Sequence, residues 1–555
     1  MQVFPVNGLH FNNLKGDIYG GITAAVVALP LALAMGVASG AGPIAGIYGA
    51  IFVGFFAALF GGTPAQVSGP TGPMTVVMAM VFTHFTSMFP DNPSLGAELA
   101  FTVVIMGGVF QILFGILKIG KYIELVPHPV VSGFMSGIGV IIILLQLAPL
   151  CGQEGATKPL MIAQEVASYF SHLHTPSVVL GIIALVIVYG IPRFLPAMNK
   201  LIPSPLLALV AGTLVYILLM PDSGTPILGN IPTGFPTPIV PSIDLSLFAG
   251  MVKFALMLAA LGSIDSLLTS LVADNVTRTF HKPDRELIGQ GIGNTIAGFF
   301  GGLPGAGATM RTVVNVKAGG QTPISGALHA IILLAIVLGA GAFASDIPKA
   351  VLAGILIKVG TDIIDWDYLM RLKTAPKAGV IIMSSVFLIT VFIDLITAVA
   401  IGVIMANFLF MQRMVNLQLE SMKIITSPGE EVPLSDLEKQ IMQKANDRIL
   451  LYHLGGPLSF GAAKGMVRRL ASFDQYDVLV LDFTDVPMID FTSARAVEDM
   501  IIDAQKRGRA VYTVNRNTKV VEFLQKQGIL KHLPKEHQHT DRPEALQAAL
   551  NLLQD

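Results

Sequence analysis

The chain has 555 residues, of which 53% are hydrophobic and 13% are charged, and its formal net charge is −1 at pH 7. This composition, with a mean hydropathy of +0.69, excludes ordinary soluble enzymes and fibrous proteins and indicates a membrane protein. A charge this close to zero leaves no basic field for nucleic acid, so no nucleic-acid partner is expected. The single cysteine, Cys151, excludes an intrachain disulfide framework and paired-cysteine metal motifs.

Apolar segments dominate the first three quarters of the chain. Residues 1–412 hold only 17 of the 35 Lys and Arg residues, so the last 143 residues are far more highly charged. A bilayer core about 30 Å thick needs about 20 apolar residues in a helix, and the sequence predicts fourteen such spans, the third, tenth and twelfth being short. Their centres are predicted near Ala28, Phe52, Val77, Val104, Gly139, Ala184, Val210, Ala260, Gly293, Val313, Leu333, Leu356, Phe387 and Met405.

The basic residues predict the orientation of these spans. An even number of spans places both termini on the same side of the membrane. Twelve Lys and Arg residues fall in loops on that side, whereas only Lys158 and Lys349 fall in loops on the other side. Because Lys and Arg collect in cytoplasmic loops, we expect a multi-pass protein with both termini in the cytoplasm.

The two halves of the apolar region share short sequence repeats. Residues 60–64 (FGGTP) recur as residues 300–304 (FGGLP), and a second set of prolines and glycines recurs at a constant offset of 221. Seven spans per half is an odd number, so the two halves would have opposite orientations, which is the inverted repeat of many secondary transporters. The second set comprises Pro127, Gly133 and Gly139, which match Pro348, Gly354 and Gly360.

Proline and glycine interrupt the third and tenth predicted spans. Residues 65–74 contain two prolines and two glycines, which a continuous helix does not accommodate. We therefore expect an extended segment followed by a half-helix from near Pro70, and the same in residues 305–312. The two helix N-termini would face each other and offer N–H groups and partial positive charge to an anion. The alternative is a pair of kinked helices packed closely through glycine.

Asp265 lies well inside the eighth predicted span, and a carboxylate at that depth indicates a functional site. Thr269 is one turn further along the same helical face, and Ser263 and Ser266 are close by, which together suit a hard cation such as Na⁺. Two alternatives to Na⁺ binding remain. Asp265 could instead carry a proton, or it could form an internal salt bridge with Arg311 that has no role in transport. The Arg311 side chain either faces the anion site or points toward the cytoplasm, where its charge would help to set the orientation of the protein in the membrane.

The polar tail predicts a separate domain. Residues 416–446 indicate a linker with a helix around residues 434–444. From residue 447 to 555, β-rich runs alternate with helical patterns, which is typical of an α/β domain with helices on its sheet. The predicted division is a transmembrane transport domain over residues 1–415, the linker, and a cytoplasmic domain over residues 447–555.

No motif in the sequence indicates catalysis. The chain contains no P-loop, GxSxG or HExxH pattern, so we expect neither ATP-driven pumping nor enzymatic activity, and no organic cofactor.

Four stretches, at residues 16–24, 68–73, 305–312 and 490–494, resemble the SulP family of anion transporters with a C-terminal STAS domain. Within that family, the resemblance is strongest to the cyanobacterial sodium-dependent bicarbonate transporters. It implies an α-helical membrane domain of fourteen spans in a seven-plus-seven inverted repeat, divided into core and gate domains. It also implies an elevator-type movement, a location in the inner (plasma) membrane, and a homodimer in which the STAS domains take part.

The resemblance further implies that bicarbonate binds between the two half-helices beside a co-transported Na⁺. Many members of the family carry a Gln and an aromatic residue after the first-span proline, whereas Pro30 here is followed by Leu31 and Met35. The expected anion-binding residues are Ser68, Gly69, Thr71, Ala308 and Thr309, with Arg311 added as a cation in reach of the site. The expected Na⁺ ligands are Asp265, Thr269, Gly307, Ala308 and Thr309.

The sequence therefore predicts sodium-dependent bicarbonate uptake, that is, Na⁺/HCO₃⁻ symport. The expected partners are bicarbonate, Na⁺, the lipid bilayer and a second copy of the chain. The alternatives are a proton-coupled sulfate or dicarboxylate symporter of the same fold, and a sensory membrane protein whose output is the tail.

Overall fold

The computed structural model divides into two compact units, Met1–Val403 and Ile404–Asp555. Lys158 and residues 428–433 of the predicted linker lie outside the described residues. The structure describes residues 6–123, 126–154, 159–229, 236–340, 345–393, 395–427 and 434–554.

A helix covers each of the fourteen predicted span centres, which confirms the helical membrane domain. Among the described residues, seven helices (α1, α2, α4, α6, α8, α11 and α18 below) are long and apolar enough to cross a membrane by length and composition. The three spans predicted to be short have 17, 9 and 15 residues, in α3, α13 and α15. The helices are α1 (Leu14–Ala38), α2 (Pro43–Phe60), α3 (Gly72–Met88), α4 (Pro93–Ile116), α5 (Gly120–Ile123), α6 (His128–Leu150), α7 (Pro159–Ser171), α8 (Thr175–Phe194), α9 (Pro196–Leu201), α10 (Ser204–Leu219), α11 (Phe248–Thr277), α12 (Pro283–Phe299), α13 (Thr309–Lys317), α14 (Pro323–Ala340), α15 (Lys349–Ile363), α16 (Trp366–Met370), α17 (Lys377–Phe392) and α18 (Leu395–Ser421).

Most helices of the first unit pack in two groups. In the core group, α1 to α4 pack with α11 to α14. In the gate group, α6, α8, α10, α15 and α17 pack on one another. The two groups meet where α1 and α3 contact α6, α10 and α15. This division is the one that the family resemblance implies for core and gate domains.

Glycines from the second sequence repeat meet in the gate group. Pro127 and Pro348 directly precede α6 and α15, so both helices begin at equivalent places of the repeat. A Cβ atom added at Gly139 would lie 2.5 Å from the carbonyl oxygen of Gly360, and one added at Gly360 would lie 2.8 Å from that of Gly139. Equivalent residues that touch each other are expected at the pseudo-two-fold axis of an inverted repeat.

The second unit contains a five-stranded sheet in the order β3 to β7, after the two short strands β1 (Ser68–Gly69) and β2 (Ala306–Gly307) of the first unit. β3 runs antiparallel to β4, and the remaining neighbours are parallel. The predicted α/β tail is therefore confirmed. The elements are β3 (Lys423–Ile425), α19 (Asp436–Ala445), β4 (Ile449–Gly455), α20 (Phe460–Ala471), β5 (Val478–Asp485), α21 (Phe491–Lys506), β6 (Ala510–Val514), α22 (Thr518–Lys526), β7 (Gln538–His539) and α23 (Arg542–Gln554), with 3-10 helices at Ile529–His532 and Lys535–His537.

Alternate residues of β4 and β5 belong to different cores, because successive side chains of a strand point to opposite faces. Leu450 and Leu479 pack with α20, α21 and α22. Ile449 and Val478 pack with α19 and α23 on the other face. Helices on both faces of a mostly parallel sheet explain why the central strands β4, β5 and β6 are mostly apolar and buried.

Charged side chains link α19, β5 and α23 in the second unit. The Arg542 guanidinium contacts Glu438 through Nε at 2.6 Å and Asp482 through Nη1 at 3.3 Å. Burial alone would raise the pKa of Asp482, but hydrogen bonds from His453 and Thr484 hold that pKa below its ordinary value. The pKa of Glu438 is likewise lowered, because contacts with Arg542 and Ser435 outweigh burial.

We expect the stability of the second unit to fall as the pH is lowered. The pKa values of Asp482 and Glu438 are lower in the folded chain, so their stabilisation is complete above the unfolded values of about 4 and is lost as pH falls through the folded values. Amide hydrogen exchange of β4 and β5 between pH 7 and 3, corrected for intrinsic rates, measures this loss.

Two variants test the contribution of Arg542 to this pH dependence: Arg542→Met, and Arg516→Met as its matched control. Arg542→Met should make the decline shallower, because Arg542 helps to lower both pKa values. Arg516 lies 3.8 Å from Asp541 at an exposed site, so Arg516→Met should keep the wild-type slope. Identical slopes in all three proteins would contradict the assignment.

Candidate functional site

Two extended segments cross inside the core group and pair as β1 and β2. The strands are antiparallel, with Ser68 opposite Gly307 and Gly69 opposite Ala306. Helices α3 and α13 begin within three residues of the ends of these strands. The structure thus contains the predicted extended segments and half-helices, and not two kinked helices.

Glycine is required where the two segments approach each other. Gly69 has a φ of +150°, and a Cβ atom there would lie 2.7 Å from Nη1 of Arg311. A Cβ atom at Gly305 would lie 2.5 Å from the backbone carbonyl carbon of Gly69. Larger residues would therefore push the two segments apart.

A cavity of about 250 Å³ lies at the N-termini of α3 and α13, between the core and gate groups. Met310 and Asp362 in its lining are exposed, and they lie toward the end where α1 and α6 begin and α15 ends. The gate side of the lining is apolar except for Asp362, which pairs with Lys358. The core side contributes Leu31, Met35, residues 70–73, Asp265 and residues 307–311, and the gate side contributes Met135, Val359, Asp362 and Ile363.

Four of the six predicted anion-binding residues line this cavity: Thr71, Ala308, Thr309 and Arg311. Thr71 is the N-cap of α3 and Ala308 is the N-cap of α13, so both lie where the first N–H groups of a helix have no helical acceptor. Ser68 and Gly69 lie behind these residues, in β1.

Arg311 is 2% exposed and lies at the crossing, not in a cytoplasmic loop. Its Nη2 donates to the carbonyl oxygen of Pro70, whereas its Nη1 has no hydrogen-bond partner among the described residues. The ion pairs of the described residues do not include one between Arg311 and Asp265 within 4 Å. The internal salt bridge that the sequence left open is therefore absent from this part of the chain.

The predicted cation ligands come together beside the same cavity. The Thr269 hydroxyl donates to the Gly307 carbonyl oxygen at 2.9 Å and lies 2.7 Å from the Thr309 hydroxyl oxygen. Asp265 is 6% exposed, and its Oδ2 has no hydrogen-bond partner in the described chain. Carboxylate, hydroxyl and carbonyl oxygens are the ligands of a hard cation, so this group of residues fits Na⁺.

The two serines near Asp265 are occupied within their own helix. Ser263 donates its hydroxyl to the carbonyl oxygen of Ala259, and Ser266 donates to that of Gly262. Ser266 also accepts the backbone N–H of Gly307 at 3.1 Å, so it positions β2.

The sequence interpretation missed the polar side chains of α12 that hold the crossing. Glu286 is 1% exposed, and its Oε2 accepts the backbone N–H groups of Gly62 at 2.8 Å and Thr63 at 2.9 Å. Its Oε1 accepts the side-chain amides of Gln66 and Gln290, each at 2.8 Å. This carboxylate thus fixes the chain where it leaves α2 and enters β1.

Gln290 and Asn294 continue the same face of α12. Gln290 donates to the Ser68 hydroxyl at 2.6 Å. Asn294 accepts the Gly305 N–H at 2.7 Å and donates to the Gly305 carbonyl oxygen at 2.9 Å. Glu286, Gln290 and Asn294 are spaced by four residues, and most of the other residues from 286 to 299 are apolar or glycine; this pattern is the signal that could have identified them.

The comparisons with known proteins are consistent with this geometry. A model of the "Sulfate permease family" matches residues 14–386, and a model of the "STAS domain" matches residues 440–542. The chain belongs to the sulfate permease family. The predicted family and its C-terminal STAS domain are therefore confirmed, as is a multi-pass membrane transport protein.

Full-length relatives and solved structures agree with this result. "Bicarbonate transporter BicA" of Synechocystis sp. (strain ATCC 27184 / PCC 6803 / Kazusa) is 45% identical over 552 residues, covering 99% of this chain and 96% of the relative. The solved "transmembrane domain of a cyanobacterium bicarbonate transporter BicA" is 49% identical with a TM-score of 0.66, covering 71% of this chain and 99% of that one. The murine Slc26a9 anion transporter shares the fold at 18% identity and a TM-score of 0.82, covering 98% of this chain and 92% of that one.

We expect Glu286→Gln to destabilise the membrane domain. A side-chain amide would present an NH₂ group to donors that now meet a carboxylate, leaving buried N–H groups unpaired at a cost of at least about 2 kcal/mol. Thermal unfolding in detergent should show a lower Tm.

Asp284→Asn is the matched control on the same helix. Asp284 is partly buried and accepts one backbone N–H, from Gly120 at 3.0 Å, so its loss should cost less than about 1 kcal/mol. A Glu286→Gln protein as stable as the Asp284→Asn protein would show that the crossing does not depend on this carboxylate.

Proposed function

We propose that the chain carries out sodium-dependent bicarbonate uptake, a Na⁺/HCO₃⁻ symport, across the plasma membrane. The observation that carries this proposal is the buried, unpaired Asp265 carboxylate oxygen beside a cavity formed at two half-helix N-termini. One cavity thus offers a site for a cation and a site for an anion. The relative that is 45% identical over almost the whole chain is named as a bicarbonate transporter, which supports the choice of anion.

The anion site in this proposal consists of Ser68, Gly69, Thr71, Ala308, Thr309 and Arg311. The N–H groups that begin α3 and α13 are donors for the oxygen atoms of bicarbonate, and the macrodipoles of both helices favour its charge. The unpaired Nη1 of Arg311 adds a full positive charge at the crossing. The apolar side chains of Leu31 and Met35 close the α1 side and donate no hydrogen bond.

The cation site in this proposal consists of Asp265, Thr269, Gly307, Ala308 and Thr309. A Na⁺ ion bound there neutralises the Asp265 charge that would otherwise repel bicarbonate. By linkage, bicarbonate raises the affinity for Na⁺ by the same factor. An inward sodium gradient then drives the uptake of the anion.

Alternating access follows from the division into core and gate groups. Both ion sites belong to the core group, and the gate group offers mainly apolar side chains such as Met135, Val359 and Ile363. Apolar surfaces slide without breaking hydrogen bonds, so we propose that the core group carries both ions past the gate group in an elevator-type movement.

We further propose the arrangement of the chain in the membrane. Both termini face the cytoplasm, as the basic residues of the loops predict. Residues 1–415 form the transport domain, residues 416–446 a linker that contributes β3 and α19 to the sheet and its core, and residues 447–555 the cytoplasmic STAS domain. Two copies assemble as a homodimer in which the STAS domains take part.

Arg311 favours one second candidate, a proton-coupled sulfate or dicarboxylate symporter. Its unpaired Nη1 suits an anion with two negative charges, and Asp265 would then carry a proton in place of Na⁺. The family description, which names sulfate, is compatible with this chemistry.

Uptake by reconstituted protein distinguishes the two candidates. We expect labelled bicarbonate to enter proteoliposomes with an inward Na⁺ gradient and to lose nearly all of that uptake when choline replaces Na⁺. Labelled sulfate should not accumulate under either condition. Sulfate uptake that ignores Na⁺ and is driven by external acid would overturn the proposal in favour of the second candidate.

We expect Asp265→Asn to abolish the dependence of uptake on Na⁺, because an amide supplies no negative charge to the cation. Stimulation by Na⁺ should fall at least about tenfold. The control is Asp362→Asn, since Asp362 lines the same cavity but is paired with Lys358. Sodium-stimulated uptake that survives in the Asp265→Asn protein would remove Asp265 from the cation site.

A further inference from the structure

Three cavities follow one another along the boundary between the core and gate groups. The first is the central cavity of about 250 Å³ at the half-helices. The second is a constriction of about 10 Å³, lined by Met35, Thr75, Ile142 and Leu356 among others. The third, which we call the vestibule, has a volume of about 340 Å³ and lies where α1 and α6 end and α15 begins. The three cavities mark one route, which is closed at the constriction.

The vestibule contains two charges that do not pair with each other. Lys349 and Glu154 both line it, and neither forms an ion pair within 4 Å with the described residues. Lys349 is partly buried, whereas Glu154 is exposed at the rim, where water and salt screen its charge. Lys349 is therefore the less screened of the two formal charges, and it favours an anion against the negative macrodipole ends of α1 and α6, which also lie at the vestibule.

Two further features favour an anion beside Lys349. Helix α15 begins at Lys349, so the positive end of its macrodipole lies at this position, although the Lys349 backbone N–H itself donates to the Pro226 carbonyl oxygen at 2.9 Å. Gln146 lines both the vestibule and the constriction, is 5% exposed, and forms no hydrogen bond with the described chain. A buried carboxamide without a partner, at the junction of two cavities, is suited to bind a passing polar solute.

We propose that the vestibule is a waiting site for the transported oxyanion, bound by Lys349 and passed inward at Gln146. This inference rests on the proposed function for the identity of the anion, and on the proposed topology for its position on the outer side. Lys349 collects the anion and raises its local concentration at the closed constriction. It acts before the central site and does not contribute to that site.

Neutralising Lys349 tests this role through the concentration dependence of uptake. At saturating Na⁺ and low ionic strength, Lys349→Met should raise the KM for bicarbonate at least about threefold and leave the maximal rate nearly unchanged. The effect should shrink as salt is added, because screening weakens the attraction. The concentration of Na⁺ that gives half-maximal uptake should stay the same.

Lys377→Met is the matched control. Lys377 is the first residue of α17 and follows Pro376, just as Lys349 is the first residue of α15 and follows Pro348. It lines none of the three cavities. An equal change of KM in both variants, or a change in neither, would overturn the proposal.

Restoring the charge chemically separates electrostatics from a structural effect. In a Lys349→Cys protein, an aminoethyl methanethiosulfonate adds an ammonium group through a disulfide and releases methanesulfinate, and it should restore the wild-type KM. The sulfonatoethyl reagent adds a negative charge and should raise the KM further. The wild-type protein with the same reagents controls for the native Cys151.

A binding measurement keeps this test separate from the proposed function. Bicarbonate should slow the acetylation of Lys349 by N-hydroxysuccinimide acetate at least about threefold, as measured by mass spectrometry, and leave Lys377 unaffected in the same sample. Protection by sulfate and not by bicarbonate would keep the waiting site and overturn the choice of anion. Acetylation of Lys349 that neither anion slows would overturn the waiting site itself.

Discussion

Backbone N–H and C=O groups that leave a helix inside a membrane have no water to bind, and the whole transport site depends on how this chain satisfies them. The extended segments that contain β1 and β2 bond to each other over only two residues each. Polar side chains on one face of α12 supply most of the remaining partners. Glu286 is central, since its two oxygens accept four N–H groups at the point where α2 gives way to the crossing.

The same crossing creates the electrostatics of the site. Because α3 and α13 begin at the crossing, inside the core group, their N-termini point toward one cavity and offer positive potential without a cluster of cations. Only two formal charges, on Asp265 and Arg311, line the core side of the cavity, and each keeps one unpaired polar atom. Two buried charges that form no direct ion pair with each other are costly, so ions of opposite sign are the natural partners for both.

Much of this architecture could be predicted from the sequence, because it rests on local patterns. Apolar runs located the helices of all fourteen predicted spans, and the proline and glycine runs at residues 65–74 and 305–312 located both half-helices. Strands β4, β5 and β6 were also recognisable, since they are β-rich and separated by helical patterns, whereas the two edge strands β3 and β7 have only three and two residues and were not predicted. The depth of Asp265 within a span identified the carboxylate that is now found beside Thr269.

Other features depend on contacts between distant residues, which periodicity does not encode. Glu286 lies near the end of an apolar run and resembles an interfacial charge until the partners on residues 62–66 are known. The direction of Arg311 was equally open, because a half-helix rotates its side chains by an angle that depends on where the helix begins. The sequence placed Lys349 only as one of two basic residues in loops on the side opposite the termini, and the cavity beside it indicates a further role.

The hydrogen bonds of Glu286 also impose an order on biosynthesis. The backbone N–H of Gly62 donates to Glu286, which lies 224 residues further along the chain and is therefore synthesised later. At about 5–20 residues per second, roughly 10–45 s pass before α12 is made. During that time the first half of the transporter has no complete binding site. A chain truncated before α12 therefore lacks the acceptor of the Gly62 and Thr63 N–H groups, and the second repeat must be present before the crossing of the first can be completed.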